Sequence, residues 1–210
     1  MIRVLIADDH AVVREGLKQI VSESADMTIA GEASNGHEVM ALARTGDCDV
    51  VLLDLAMPGK DGFDTLKELK LLRPEVPVMI LSVYHEDQYA VRLLRAGAAG
   101  YLTKESAPEE LVTAIRKVSR GGRYVSESLG EQLALLLDSG ADRPPHERLS
   151  DREFRVMLML ASGQTVTEVA DALCLSVKTI STYRSRALVK MNMRNNAEFS
   201  FYAVKQGLLD

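Results

Sequence analysis

The chain has 210 residues, 47% hydrophobic and 26% charged, with a formal net charge of −5. This is ordinary globular composition, enough for one large domain or two small ones. No apolar run approaches the roughly 20 residues that span a bilayer, which excludes a membrane-crossing helix.

The amino terminus, Met1-Ile2-Arg3-Val4, lacks the ordered basic, apolar and cleavage regions of a secretory signal. Cys48 and Cys174 lie far apart and fit no metal-ligand spacing, so both are expected as free thiols in a reducing compartment, the cytoplasm. The charge is uneven. Residues 149–210 carry eight Lys/Arg against six Asp/Glu, or +2, and residues 1–148 carry 17 against 24, or −7. An acidic front joined to a mildly basic back points to two tasks, the second on an anionic partner.

In chain order, Arg3 to Ala7 is a buried-strand run ending in Asp8-Asp9. Val13, Leu17, Ile20 and Val21 then recur at helical spacing. Met27 to Ala33 predicts a second strand, and His37 to Ala43 a helix after the Asn35-Gly36 turn. Val50 to Leu53 is apolar throughout and runs into Asp54, followed by Met57-Pro58-Gly59 and Asp61-Gly62. Such a short β-branched run reads as a strand buried on both faces of a parallel sheet. A helix over 63–72 stops before Pro74. Val78 to Leu81 is a fourth strand ending in Ser82, and 88–96 a helix halted by Gly97. Ala99 to Leu102 is a fifth strand leading to Lys104. The last helix of this half is read as opening on a Ser106…Glu109 capping box, with Leu111, Ala114, Ile115 and Val118 as its stripe.

Five strands alternating with five helices predict an α/β fold, a five-stranded doubly wound parallel sheet of flavodoxin-like kind. The carboxyl ends of its strands face one edge, which gathers Asp8, Asp9, Asp54, Ser82 and Lys104. Taken singly, each residue has a plain role as a helix cap or loop charge; four matched strand ends together make chance convergence the weaker reading. Each pair of carboxylates about 4 Å apart costs roughly 4 kcal/mol at an effective dielectric near 20, unless a proton or cation intervenes. An all-oxygen set with open positions suits Mg²⁺ and a phosphoryl oxygen. Asp54 would then be the nucleophile, Lys104 a counter-charge and Ser82 a hydroxyl donor.

On these residues, together with DLAMPGKDG around Asp54 and Gly100-Tyr-Leu-Thr-Lys104, residues 1–120 resemble the receiver domain of bacterial two-component response regulators. The resemblance implies Asp54 as phospho-acceptor, Asp9, Asp54 and the Ala56 backbone carbonyl as metal ligands, and Asp8 positioning the metal mostly through water. It implies Ser82 as the hydroxyl switch and Tyr101 as an aromatic that moves inward with it; a half-buried strand tyrosine is the plain alternative. His10, His37 and His85 match no catalytic position and are read as surface or cap residues.

Residues 121–147 read as a linker with a short helix. Leu129, Leu133, Leu136 and Leu137 give that helix an apolar stripe, and Pro144-Pro145 is expected to stiffen an extended segment in which His146 is solvated. Residues 148–210 predict a second, all-α domain. Capping boxes stand at Ser150…Glu153 and Thr165…Glu168, and Ser176 is placed to cap the next helix. On that helix Ile180, Tyr183, Ala187 and Met191 are expected on a buried face, opposite Lys178, Ser181, Thr182 and Ser185. Ser176 to Asn196 holds five positive residues and no negative one. Two helices across a short turn, the second polar and basic, predict a helix-turn-helix DNA reader.

This half resembles the LuxR/NarL-type DNA-binding domain, from Leu149-Ser-Asp-Arg-Glu153 through Val169-Ala170, Leu175-Ser176 and Lys178-Thr179-Ile180 to Lys190. It implies Lys178, Thr179, Arg186 and Lys190 as phosphate contacts, and Ser181, Thr182 and Ser185 facing the major groove with Arg184 at its flank. Tyr183 stands where many members have histidine, Asn192 replaces a usual glycine, and Asn196 replaces a usual arginine. The whole chain thus reads as a transcription regulator, not an enzyme. It would be phosphorylated on Asp54 by a sensor histidine kinase or phosphotransfer protein, with Mg²⁺, and would bind double-stranded DNA as a homodimer. The rivals are a receiver that only docks partners and a metal-dependent phosphohydrolase.

Overall fold

The computed structural model describes residues 1–58, 62–83, 86–126, 129–131, 133 and 144–209. Chain contacts divide it into two compact units, Met1–Leu135 and Leu136–Asp210.

The first unit is built on five parallel strands: β1 (Ile2–Ala7), β2 (Met27–Ala33), β3 (Val50–Asp54), β4 (Val78–Ser82) and β5 (Gly100–Thr103). They alternate with α1 (Ala11–Ser22), α2 (Gly36–Thr45), α3 (Gly62–Leu72), α4 (Glu86–Arg95) and α5 (Pro108–Ser119). Every predicted strand and helix of this half lies within two residues of its expected ends. The strand order is β2-β1-β3-β4-β5, so the chain leaves β1 on one side and returns on the other. The crevice of such a sheet lies at that reversal, outside the carboxyl ends of β1 and β3.

Both faces of the sheet are covered, and strands β3 and β4 are therefore apolar at nearly every position. Val4, Ile6, Val50, Leu52, Met79, Leu81 and Leu102 pack with Leu17 and Val21 of α1 and with Leu111, Ala114, Ile115 and Val118 of α5. The alternate positions Leu5, Val51, Leu53, Ile80 and Tyr101 are buried on the other face. There α2, α3 and α4 lie, and the Phe63 and Tyr89 rings meet edge-on at 6.1 Å.

The entry to α5 differs from the predicted capping box. Ala107 is the N-cap, without a side-chain bond, and Pro108 occupies the first turn. Proline is pre-set for the first helical position and has no N–H to lose there, so Pro108 sets the helix start one residue later than a box on Ser106 requires. The Ser106 hydroxyl instead meets that of Thr103. Of the predicted helix over 128–137, residues 129–131 are helical with Leu129 buried; the rest of that segment and residues 138–143 lie largely outside the described residues.

The second unit holds α6 (Asp151–Ala161), α7 (Val166–Ala172), α8 (Val177–Met191) and α9 (Asn196–Lys205). Both capping boxes are formed, on Ser150 with Glu153 and on Thr165 with Glu168. Ser176 caps α8 by accepting from the Thr179 N–H. Phe154, Val156, Leu158, Val169, Ile180, Ala187, Met191, Phe199 and Ala203 form its core. Tyr183, expected on the buried face, is only half-buried.

The expected extended linker is also interrupted. Pro145 opens a 3₁₀ turn, Pro145–Arg148, which carries His146 back onto the helices instead of leaving it solvated. Its Nδ1 lies 2.7 Å from the Tyr202 hydroxyl, and its ring is 5.7 Å from Phe154.

Candidate functional site

The carboxyl edge of the sheet concentrates charge where water barely reaches. The Asp8 and Asp54 side chains are each 1% exposed, and Ser82 is fully buried. Lys104, just beyond β5, is held there by its backbone N–H, which donates to the Ser82 carbonyl. Its ammonium lies 2.5 Å from Asp8 Oδ2 and 2.9 Å from Asp54 Oδ2. Burial works against that charge, but the two carboxylates outweigh it and hold the Lys104 pKa above its ordinary value. Burial raises the Asp54 pKa above the usual carboxylate value, with Lys104 opposing. The Ala56 N–H donates to Asp54 Oδ1 at 3.2 Å.

Gly62 is the reason α3 can start so close to this aspartate. A Cβ at that position would lie 2.4 Å from the Asp54 carbonyl oxygen and 2.6 Å from the Leu55 Cα. Gly62 therefore serves close packing beneath the site.

Asp8, Asp9, His10 and Asp54 each offer a ligand atom, and these atoms lie within 4.8 Å of one another. Asp9 Oδ1 is buried without an aligned hydrogen bond, and Asp8 Oδ2 and Asp54 Oδ2 share the single Lys104 ammonium. Buried, under-satisfied carboxylate oxygens converging on one point are the donor set a hard divalent cation takes, so the residues fit Mg²⁺. His10, read from the sequence as a surface or cap residue, is exposed at the start of α1. It is the N-cap residue of α1, without a side-chain cap bond, and its ring leans over the carboxylates, Nδ1 being 2.8 Å from Asp9 Oδ1. His37 is exposed on α2, and His85 lies outside the described residues.

Tyr101 lies on β5 beside Ile80 and is 1% exposed. The ring is thus buried, not half-buried.

In the second unit α8 presents Lys178, Ser181, Thr182, Ser185, Arg186 and Lys190 outward, with Thr179 and Arg184 partly covered. Lys178, Thr179, Thr182, Tyr183 and Arg186 line a shallow cavity of about 290 Å³. Two of the basic groups have partners. The Lys190 ammonium lies 2.5 Å from the buried Glu153 carboxylate, and Arg184 Nε donates to Asn196 Oδ1 at 2.6 Å. Asn192 ends α8 in the left-handed conformation, at φ 56°, the duty expected of it in place of glycine.

Comparison with known proteins matches residues 4–116 to the response regulator receiver domain and residues 147–203 to the bacterial regulatory proteins of the luxR family. The chain belongs to the LuxR-type response regulators. This response regulator is 39% identical to the response regulator GacA of Pseudomonas aeruginosa over 211 residues, covering 100% of this chain and 99% of that one. It is 38% identical to the response regulator UvrY of Escherichia coli, over 99% of this chain and 96% of that one. Among solved structures, RcsB of Salmonella enterica serovar Typhimurium, bound to the promoter rprA with phosphomimetic BeF3−, matches with a TM-score of 0.66. It is 26% identical, and the match covers 97% of this chain and 99% of that one. A structure of two RcsB dimers on two parallel DNAs matches with a TM-score of 0.61, at 27% identity, over 97% of this chain and 98% of that one. The response regulator is thus a two-component, DNA-binding transcription regulator with a receiver and a helix-turn-helix. Among the described residues no helix is long and apolar enough to cross a membrane.

Proposed function

We propose that this regulator accepts a phosphoryl group on Asp54 from a sensor histidine kinase or phosphotransfer protein, and binds double-stranded DNA through α8 in response. The observation that carries the reading is Lys104, seated between the buried Asp8 and Asp54 carboxylates at 2.5 and 2.9 Å. In the transfer an Asp54 carboxylate oxygen attacks phosphorus, the P–N bond of a phosphohistidine breaks, and the imidazole leaves with its electron pair. Lys104 neutralises charge on the transferring oxygens, and Ser82 donates its hydroxyl to one of them. Asp8, Asp9, Asp54 and the Ala56 carbonyl would hold Mg²⁺, which supplies further charge neutralisation when bound.

The new charge at Asp54 then competes for Lys104 and Ser82, and the β4–α4 and β5 region repacks around Tyr101. Because Tyr101 is already buried, the switch would stabilise an inward ring rather than drive one in. Repacking favours a two-fold dimer, which matches two DNA half-sites. On α8, Lys178, Thr179, Arg186 and Lys190 would contact phosphates while Ser181, Thr182 and Ser185 reach base edges, flanked by Arg184. Such a regulator works in the cytoplasm.

Asp54→Asn tests the reading. With Mg²⁺ and acetyl phosphate, wild type is expected to incorporate one phosphoryl group, dimerise and gain DNA affinity by about tenfold, a coupling of roughly 1.4 kcal/mol. Asp54→Asn should show none of the three. Equal labelling of the two proteins, by intact mass, would overturn it.

A further inference from the structure

Tyr183, expected on the buried face of α8, belongs neither to the core of the second unit nor to the fully exposed face of the helix. It is half-buried and lines the shallow cavity with Lys178, Thr179, Thr182 and Arg186. No acidic side chain lines that cavity. Among the described residues, neither the Lys178 ammonium nor the Arg186 guanidinium has an ion-pair partner. Of the hydroxyls that line it, both threonines are committed. Thr182 Oγ1 donates to the Lys178 carbonyl at 2.9 Å, and Thr179 Oγ1 lies 2.8 Å from Ser176 Oγ. The Tyr183 hydroxyl has no hydrogen-bond partner among the described residues, and it reaches solvent. A phenol with a covered ring normally finds a partner for its O–H. Here the partner has to come from outside the chain.

We propose that the Tyr183 hydroxyl donates to a phosphate oxygen of the DNA backbone, on the wall of the major groove that Thr179 and Arg186 also face. The inference rests on the reading of α8 as the DNA-binding helix given above. At about 100° per residue, Thr179, Tyr183 and Arg186 share one side of the helix, and Ser181 and Ser185 lie on another. Every uncommitted group in the cavity is a donor, since ammonium and guanidinium have no acceptor and the phenol offers its O–H. A phosphate oxygen only accepts, whereas base edges in the major groove mix donors with acceptors. The set therefore suits a phosphate. In one respect the phenol differs from its basic neighbours. Being neutral, it displaces no condensed counterion, so its bond strengthens binding without adding to the salt dependence.

The test is binding of the full chain, treated with Mg²⁺ and acetyl phosphate, to a fluorescein-labelled random-sequence duplex. Anisotropy is followed from about 50 to about 300 mM salt for wild type, Tyr183→Phe and Lys178→Ala. Tyr183→Phe removes one oxygen from a half-buried ring, so its thermal unfolding should match wild type. It should bind about tenfold more weakly at every salt concentration, the share of one hydrogen bond to a charged group, with the slope of log K against log salt unchanged. Lys178→Ala should weaken binding and flatten the slope by about 0.9. Wild-type affinity in Tyr183→Phe, with Lys178→Ala still weakened, would overturn the role of Tyr183 alone. So would a loss in Tyr183→Phe that comes with a lower unfolding temperature or a flatter slope. Failure of wild type to bind the duplex, or wild-type binding in both variants, would overturn the reading of α8 with it.

Discussion

The Lys190 ammonium lies 2.5 Å from a Glu153 oxygen whose side chain is 4% exposed, and that neighbour limits what the lysine can do elsewhere. Burial raises the Glu153 pKa, but bonds from Lys190 and Ser150 outweigh it and hold the group below the usual carboxylate value. A depressed folded-state pKa stabilises the native state above the ordinary carboxylate range; that contribution disappears as pH falls through the lowered value. Lys190→Met should therefore destabilise the second unit at pH 7. Breaking a wholly buried pair costs about 3–5 kcal/mol, but Lys190 is partly solvated, so about 1–2 kcal/mol is expected. Urea unfolding followed at pH 7 and pH 3.5 checks this, and the difference between variant and wild type should shrink at the lower pH.

Elements here are aimed by their ends. Gly62 lets α3 begin against the Asp54 carbonyl, where a methyl would stand 2.4 Å from oxygen. Gly62→Ala should push α3 off β3, costing about 1–3 kcal/mol by overpacking. Because the displaced backbone carries Asp54, phosphoryl incorporation should slow as well, measured as the initial labelling rate with acetyl phosphate. At the far end of α8, Asn192 holds φ 56°. Asn192→Ala should cost about 1 kcal/mol, the penalty of a Cβ in the left-handed region, and Asn192→Gly should not, as thermal unfolding would show.

For the molecule as a whole, residues 1–148 carry −7 and residues 149–210 carry +2 on one chain. DNA affinity should then come from a few cations on α8 and not from net charge. With Lys178, Arg186 and Lys190 as the proposed cationic phosphate contacts, log K against log salt should have a slope of at most about −3 per subunit. Lys178→Ala should flatten that slope by about 0.9. Lys190→Ala should flatten it less, since Glu153 already holds part of that charge; titrations between 50 and 300 mM salt, over which the Debye length falls from about 14 Å to about 6 Å, distinguish the two.

What the sequence determined on its own is whatever local chemistry repeats. Buried strands are unbroken apolar runs, helices carry a stripe at 3.6 spacing, and Ser150, Thr165 and Ser176 announce their caps. Topology rules then gather Asp8, Asp9, Asp54, Ser82 and Lys104 at one edge, because parallel strands share a direction. What only the tertiary structure decided are pairings between residues far apart in sequence. Glu153 with Lys190, Arg184 with Asn196 and His146 with Tyr202 leave no periodic trace. The start of α5 went otherwise than expected because two local signals competed, and proline's fixed φ prevailed over a serine cap. His10 was legible as a histidine beside two aspartates, but not as one whose ring leans over them. Its direction depends on how α1 leaves β1, and no local pattern encodes the angle between a strand and the helix that follows it.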